Sequence, residues 1–146
     1  GGEAADYQAC RPLLAAMGTN LSHQGPAGCG QHAKLANQIM IANTLQGICE
    51  AMTYLKSQGC DPALVIQNLQ NGAAGSRQLE LLGPKMLQNN FDPGFYIKHF
   101  VKDLRIALDQ KEAKLTGVEN VIQEYITLMD QGYQDLGTQA LIKYFQ

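Results

Sequence analysis

Lys34, Asn37 and Gln38 are the first residues whose types and spacing could carry chemistry. Residues three and four positions apart lie on one face of a helix, so these polar side chains are predicted to project together. A lysine beside two amides can move a proton to or from a substrate oxygen while the amides bind the substrate. A solvated polar stripe is the alternative, and helix geometry alone leaves both interpretations open.

A glycine-rich turn, with Gly25, Gly28 and Gly30, runs directly into this helix. Glycine lets a ligand or another backbone come close, and the free N–H groups of a helix start favour an anion. Gly30 is therefore a candidate substrate-binding residue. The turn also mimics the G-x-G-x-x-G/A fingerprint, but no second strand follows it, and no Gly-Lys-Ser/Thr follows as in a P-loop. We reject both of these nucleotide motifs.

A second candidate cluster lies between Phe95 and Leu104, where Lys102 and Asp103 follow aromatic residues. It places a cation and a carboxylate next to an aromatic surface. By itself this pattern is also typical of an ordinary amphipathic helix, with Lys102 solvated or paired. The three histidines are expected to be structural or exposed.

The elements that must position these clusters are predicted to be six to eight helices and one short strand, an all-α architecture. The strand is expected at residues 19–23, although the sequence offers it no sheet. The longest helix, from Gly30 to about Ser57, would be about 40 Å long, so part of it should pack on a second domain or subunit. The other helices are expected at 4–17, from Pro62 to about Gln70, from the Ser76 cap to Leu82 before the Gly83-Pro84 break, from Phe95 to about Leu115, at 118–131 and at 136–145.

Composition limits the classes of function. With 45% hydrophobic and 16% charged residues the chain is globular, and a net charge of −2 without a lysine or arginine block argues against nucleic acid and anionic membranes. No apolar run approaches the roughly 20 residues of a membrane span. The four cysteines form no CxxC or Cys/His ligand spacing, which favours reduced thiols, a cytoplasmic protein and no metal site.

The two clusters together resemble a known family across essentially the whole chain. Gly25-x-x-Gly28-x-Gly30-x-x-x-Lys34 resembles the catalytic lysine motif of the β-hydroxyacid dehydrogenases, of the 3-hydroxyisobutyrate dehydrogenase and tartronate semialdehyde reductase type. The stretch from Phe95 to Leu104 resembles their second cofactor and substrate motif, and residues 132–140 resemble their C-terminal stretch. The fold implied is the helical C-terminal domain of the 6-phosphogluconate dehydrogenase-like type, with a long interdomain helix.

The resemblance implies a role for each candidate residue. Lys34 would be the general acid/base in the interconversion of a short β-hydroxyacid and its semialdehyde. Lys102 would reach the NAD or NADP cofactor. The substrate would be bordered by Gly30, Asn37, Gln38, Phe95 and Asp103. The commonest family pattern has asparagine four residues after the lysine, whereas this chain has Asn37 at +3 and Gln38 at +4, which leaves open the amide that contacts substrate.

The resemblance also implies a larger protein. Residues 1–24 would be the trailing helix and strand of a Rossmann domain that supplies most of the cofactor site, and residues 25–146 the substrate and dimerisation domain. Without the Rossmann domain we expect no turnover, and through the helical domain we expect a homodimer or tetramer. A freestanding helical interaction module without catalysis is the alternative, and a metal- or thiol-dependent hydrolase has no supporting constellation.

Overall fold

The structure is a computed structural model that describes residues 1–110 and 112–146. These residues form two compact units, 1–37 and 38–146. All the regular elements among the described residues are helices, which confirms the predicted all-α fold. The predicted domain boundary between residues 24 and 25 concerns a larger protein and stays a prediction.

The N-terminal unit contains the predicted first helix, α1, at Ala4–Met17. The helix ends where Gly18 donates its N–H to the Leu14 carbonyl at 3.2 Å. No residue of α1 is buried, and the apolar side chains of Leu13 and Met17 are 73% and 78% exposed. Leu13 and Met17 therefore form part of the surface of the N-terminal unit.

The strand predicted at residues 19–23 is absent, since the structure assigns no strand to these residues. The expectation came from a short β-favouring pattern. A strand needs a hydrogen-bonded neighbour, and across the described residues the only β-type pairing is a single bridge between Tyr96 and Gly137.

The long helix α2 runs uninterrupted over Cys29–Ser57, as predicted from the absence of proline and the helical apolar period. Asp61 caps α3, Pro62–Leu69, by accepting the Ala63 N–H at 2.9 Å, and the proline takes the first helical position. The remaining helices are α4 at Arg77–Leu87, α5 at Ile97–Asp109, α6 at Thr116–Asp130 and a C-terminal 3₁₀ helix at Thr138–Phe145.

The core of the C-terminal unit is built from buried apolar residues of α2, α3, α4, α5, α6 and the 3₁₀ helix. Phe100 and Tyr125 are fully buried and meet edge to face, with ring centroids 5.4 Å apart. The Tyr125 hydroxyl donates to the Thr138 carbonyl at 2.9 Å. Burial raises the pKa of Tyr125, so the hydroxyl keeps its proton and the bond joins α6 to the 3₁₀ helix.

Three sequence predictions about helix ends were wrong. The Gly83-Pro84 pair does not end α4, because Leu79 and Met86, on either side of it, are both buried in the core. The fifth helix begins at Ile97 and ends at Asp109, short of Leu115, and residue 111 of the predicted span lies outside the described residues. The last helix begins at Thr138 and is a 3₁₀ helix.

Candidate functional site

A buried carboxylate joins two helices of the C-terminal unit. Asp103, in α5, is 9% exposed, and its Oδ2 accepts a hydrogen bond from Gln38 Nε2 of α2 at 3.0 Å. Its Oδ1 lies 2.7 Å from the ammonium of Lys102, the preceding residue. A buried charge requires such partners, because an unpaired carboxylate would lose its hydration without compensation.

The two partners of Asp103 differ in exposure, because one is buried in the protein and the other lies at its surface. Gln38 is 4% exposed, whereas the Lys102 side chain is 63% exposed. The amide therefore holds the carboxylate from inside, and the cation stands at the surface with further N–H donors beyond the one that meets Asp103. The ammonium of Lys102 is therefore accessible from solvent.

Phe95 lies on the segment that leads into α5. It is 37% exposed, and its ring centroid lies 6.0 Å from that of the buried Phe100, edge to face. The His99 ring packs against Tyr96 at 5.7 Å and against Phe95 at 6.5 Å. The start of α5 therefore presents a small aromatic surface that is half buried and half open.

The start of α5 is also tied to a distant part of the chain. Lys98 Nζ donates to Asp135 Oδ1 at 2.6 Å, and this hydrogen bond raises the pKa of Lys98. The Ile97 and Lys98 amides donate to the Leu136 and Gln134 carbonyls at 2.9 and 3.1 Å. Sequence reasoning missed this connection because no local pattern links residues that lie 37 positions apart.

Lys34, Asn37 and Gly30 belong to the N-terminal unit, on the first turns of α2. Lys34 and Asn37 have exposed side chains, and Gly30 is partly buried. A Cβ at Gly30 would lie 3.0 Å from the nitrogen of Gly1, so the glycine admits a close backbone approach, here by the start of the same chain. Gly28 has a φ of +94°, which glycine adopts without strain, and its carbonyl accepts the His32 N–H.

The structure thus brings Gln38, Lys102 and Asp103 into one cluster, places Phe95 just before the helix that carries two of them, and puts Gly30, Lys34 and Asn37 on the first turns of α2. The predicted roles of all seven residues stay predictions. Among the described residues no group of three or more histidine, cysteine, aspartate or glutamate side chains could hold a metal ion.

None of the described cysteines forms a disulfide bond. Burial raises the pKa of the Cys49 thiol, with a smaller contribution from Glu124, so a thiolate nucleophile is strongly disfavoured there. None of the described helices has the length and apolar character needed to cross a membrane.

Comparison with known proteins extends the resemblance drawn from the motifs. Residues 28–145 match the family model described as the NAD-binding domain of NADP-dependent 3-hydroxyisobutyrate dehydrogenase. The matched residues make up most of the chain. The chain belongs to the 3-hydroxyisobutyrate dehydrogenase family, and the match confirms NAD or NADP as the cofactor of that family.

Individual relatives agree with the family match. An uncharacterized oxidoreductase of Bacillus subtilis, YkwC, is 45% identical over 98% of this chain and 51% of its own length. The 2-hydroxy-3-oxopropionate reductase of Escherichia coli is 36% identical over 98% of this chain and 50% of its own length. The chain therefore spans about half the length of these curated relatives.

A solved structure shows the same fold. The 3-hydroxyisobutyrate dehydrogenase of Salmonella typhimurium superposes with a TM-score of 0.87 at 21% identity, over 97% of this chain and 51% of that one. The likeness covers the helices described above, at an identity too low to carry a residue's role from one protein to the other.

Proposed function

We propose that this chain is the C-terminal helical domain of an NAD(P)-dependent oxidoreductase that interconverts a short β-hydroxyacid, similar to 3-hydroxyisobutyrate, and its semialdehyde. The observation that carries the proposal is the buried Asp103 carboxylate, held by Gln38 and facing the exposed ammonium of Lys102. Burying a carboxylate has a desolvation cost, and the retention of Asp103 between an amide and a cation supports a functional role over a purely scaffolding one.

In the proposed reaction Lys34 is the general acid/base. A bound nicotinamide cofactor would supply the hydride in reduction and take it up in oxidation. In reduction, the Lys34 ammonium gives a proton to the carbonyl oxygen as that oxygen gains charge. In oxidation, the neutral Lys34 amine accepts the proton of the substrate hydroxyl. Proton transfer of this kind typically contributes about 10²–10⁴-fold to the rate.

The other candidate residues bind and orient. The backbone at Gly30 admits the substrate carboxylate near the start of α2, where free N–H groups favour an anion. Lys102 contacts the cofactor through its exposed ammonium. Phe95 borders the substrate.

The two amides of α2 are proposed to have different tasks. The Gln38 amide already donates to Asp103 inside the C-terminal unit. Asn37, which has an exposed side chain, is therefore our choice for the amide that contacts substrate.

Substitution of Lys34 tests the proposal directly. In the protein as its gene encodes it, Lys34→Ala should lower kcat for short β-hydroxyacids by about 100-fold or more, because the variant lacks the proposed general acid/base. The assay follows nicotinamide absorbance with NAD and with NADP. Lys56→Ala, which removes an exposed lysine from the other end of the same helix, is the matched control and should retain full activity. Activity of Lys34→Ala within threefold of the unchanged protein would refute the assignment.

The remaining parts of the proposal concern the whole protein. Residues 1–24 are proposed to belong to the cofactor domain, the protein to be cytoplasmic, and its helical domain to form a homodimer or tetramer. The intact mass of the natural protein distinguishes this from a freestanding interaction module. A mass near twice that of this chain favours the dehydrogenase, and a mass equal to it favours the module.

A further inference from the structure

Hydrogen bonds connect the segment of residues 134–139 to the loop that precedes α5 and fix that loop in place. The Gly137 amide donates to the Phe91 carbonyl at 2.9 Å, and the Thr138 amide donates to the Phe95 carbonyl at 3.1 Å. In the other direction the first amide of α5, that of Ile97, donates to the Leu136 carbonyl at 2.9 Å. The loop is irregular, so its conformation depends on these bonds from outside.

Gln139 supplies the side-chain hydrogen bonds between these two segments. It is 1% exposed, and its single Nε2 donates to two loop carbonyls, those of Asn90 at 3.1 Å and Asp92 at 3.0 Å. Both carbonyls lie within a few residues of Phe95, on a stretch that has no regular backbone hydrogen bonding of its own. One buried amide therefore fixes two backbone positions of the loop.

Gly137 makes the space that this amide occupies. A Cβ at residue 137 would lie 2.3 Å from Gln139 Oε1, a distance that forces one of the two groups to move. The φ of Gly137 is −70°, which any residue adopts, so the backbone conformation does not demand glycine. The requirement comes from the Gln139 amide, which cannot move away without losing its two loop bonds.

We propose that Gln139 is a positioning residue for the reaction, which sets the place of Phe95 and the first turn of α5. Lys102 lies five residues after the start of α5, about 8 Å along the helix axis, and Asp103 follows it. A shift of the loop therefore moves Phe95 directly and displaces the Lys102–Asp103 pair with the helix. This inference rests on the proposed dehydrogenase function, to which it adds a residue that touches neither substrate nor cofactor.

The first test is kinetic and uses the protein as its gene encodes it. Gln139→Met keeps the length and volume of the side chain but removes both donated bonds. We expect KM for the β-hydroxyacid to rise at least fivefold and kcat to fall about tenfold, because misplacing the groups around a substrate costs rate steeply.

The matched control is Ile66→Val, a buried change in α3 that should lower stability while KM stays within twofold. A KM within twofold for Gln139→Met, in an active protein, would overturn the inference.

The second test needs no activity. Gly137→Ala should lower the melting temperature of the protein by several degrees when Gln139 is present, and by much less in the Gln139→Ala background, where the Cβ meets no amide. Amide hydrogen exchange at residues 137 and 138 should accelerate in Gly137→Ala and in Gln139→Met. Equal effects of Gly137→Ala in the two backgrounds would contradict the proposed steric coupling between Gly137 and the Gln139 amide.

The two tests separate this inference from the proposed function. A protein without dehydrogenase activity overturns the proposed function and the kinetic part of the inference together. The double-mutant comparison still decides the coupling between Gly137 and Gln139 in that case. An active protein with an unchanged KM in Gln139→Met removes the positioning role and leaves the proposed function standing.

Discussion

Two carboxylates of the C-terminal unit are withdrawn from water, and they differ in their partners. Asp103 has an amide on one oxygen and an ammonium on the other. Glu124, in α6, accepts from Gln46 Nε2 at 2.6 Å on Oε1, while its Oε2 is buried without a hydrogen-bond partner among the described residues. The arrangement around Glu124 disfavours the charged form of that carboxyl group.

The raised pKa of Glu124 predicts that stability depends on pH. Burial raises the pKa of Glu124, the neighbouring Glu50 adds to the increase, and the Gln46 hydrogen bond opposes it. A carboxyl group with a higher pKa in the folded state binds its proton more tightly there. Its contribution to stability is therefore lost as the pH rises from the unfolded pKa through the folded one. We expect the part of the free energy of unfolding that Glu124 contributes to fall over this range.

Glu124→Gln should remove this contribution, since the amide has no proton to lose. Chemical denaturation at a series of pH values between about 4 and 7 measures the slope. Glu112→Gln, at an exposed position, is the control and should leave the slope unchanged. Parallel curves for the unchanged protein and Glu124→Gln would contradict the prediction.

At the scale of elements, α4 shows how packing overrides a local stop signal. Pro84 lies inside the helix and gives no N–H to the Glu80 carbonyl one turn earlier. The helix continues to Leu87 because Leu79 and Met86, with relative exposures of 4% and 2%, both belong to the core. The local cost of the proline is offset by apolar burial on both of its sides.

Replacing this proline should stabilise the protein. Pro84→Ala restores a helical hydrogen bond at an exposed position, and we expect a gain of about 1 kcal/mol in the free energy of unfolding after allowance for the more flexible unfolded chain. Pro62→Ala is the contrasting variant. Pro62 stands at the first position of α3, where no N–H is missed, and it is buried, so its loss should destabilise. Urea denaturation compares the two, and a stability loss in Pro84→Ala would contradict the argument.

At the scale of the whole molecule, the chain spans about half of its curated relatives, with 51% of YkwC covered. We propose that a large part of the cofactor site comes from residues outside this chain, since the chain carries no dinucleotide fingerprint followed by a second strand. Binding of NAD or NADP should then depend on the protein as its gene encodes it.

We therefore expect different behaviour from the 146-residue chain alone and the encoded protein. The chain alone should give a helical circular dichroism spectrum and no turnover of β-hydroxyacids. The encoded protein should turn over, and its melting temperature should rise with cofactor, because a ligand at 100 times its Kd stabilises by about 2.7 kcal/mol. Turnover by the chain alone at a rate comparable to that of the encoded protein would contradict the prediction.

Most of the helices could be predicted from the sequence, since their signals are local. The apolar period of α2, the Asp61-Pro62 start of α3 and the Ser76 cap of α4 depend only on neighbouring residues. The family could be predicted for the same reason, because its two motifs are short stretches of fixed spacing. Lys34, Asn37 and Gln38 were identified as candidates from their spacing on one helix, and their roles stay predictions.

The tertiary structure decided what depends on residues far apart in the chain. The bond from Gln38 to Asp103 spans 65 residues, and those from Gln139 to Asn90 and Asp92 span 49 and 47. Core packing also allows α4 to continue through Pro84. Residues 19–23 form no strand, because no partner strand pairs with them. Local spacing thus determined which residues were candidates, and burial together with long-range hydrogen bonds decided which of them meet, because a buried polar group needs partners that only the folded chain can supply.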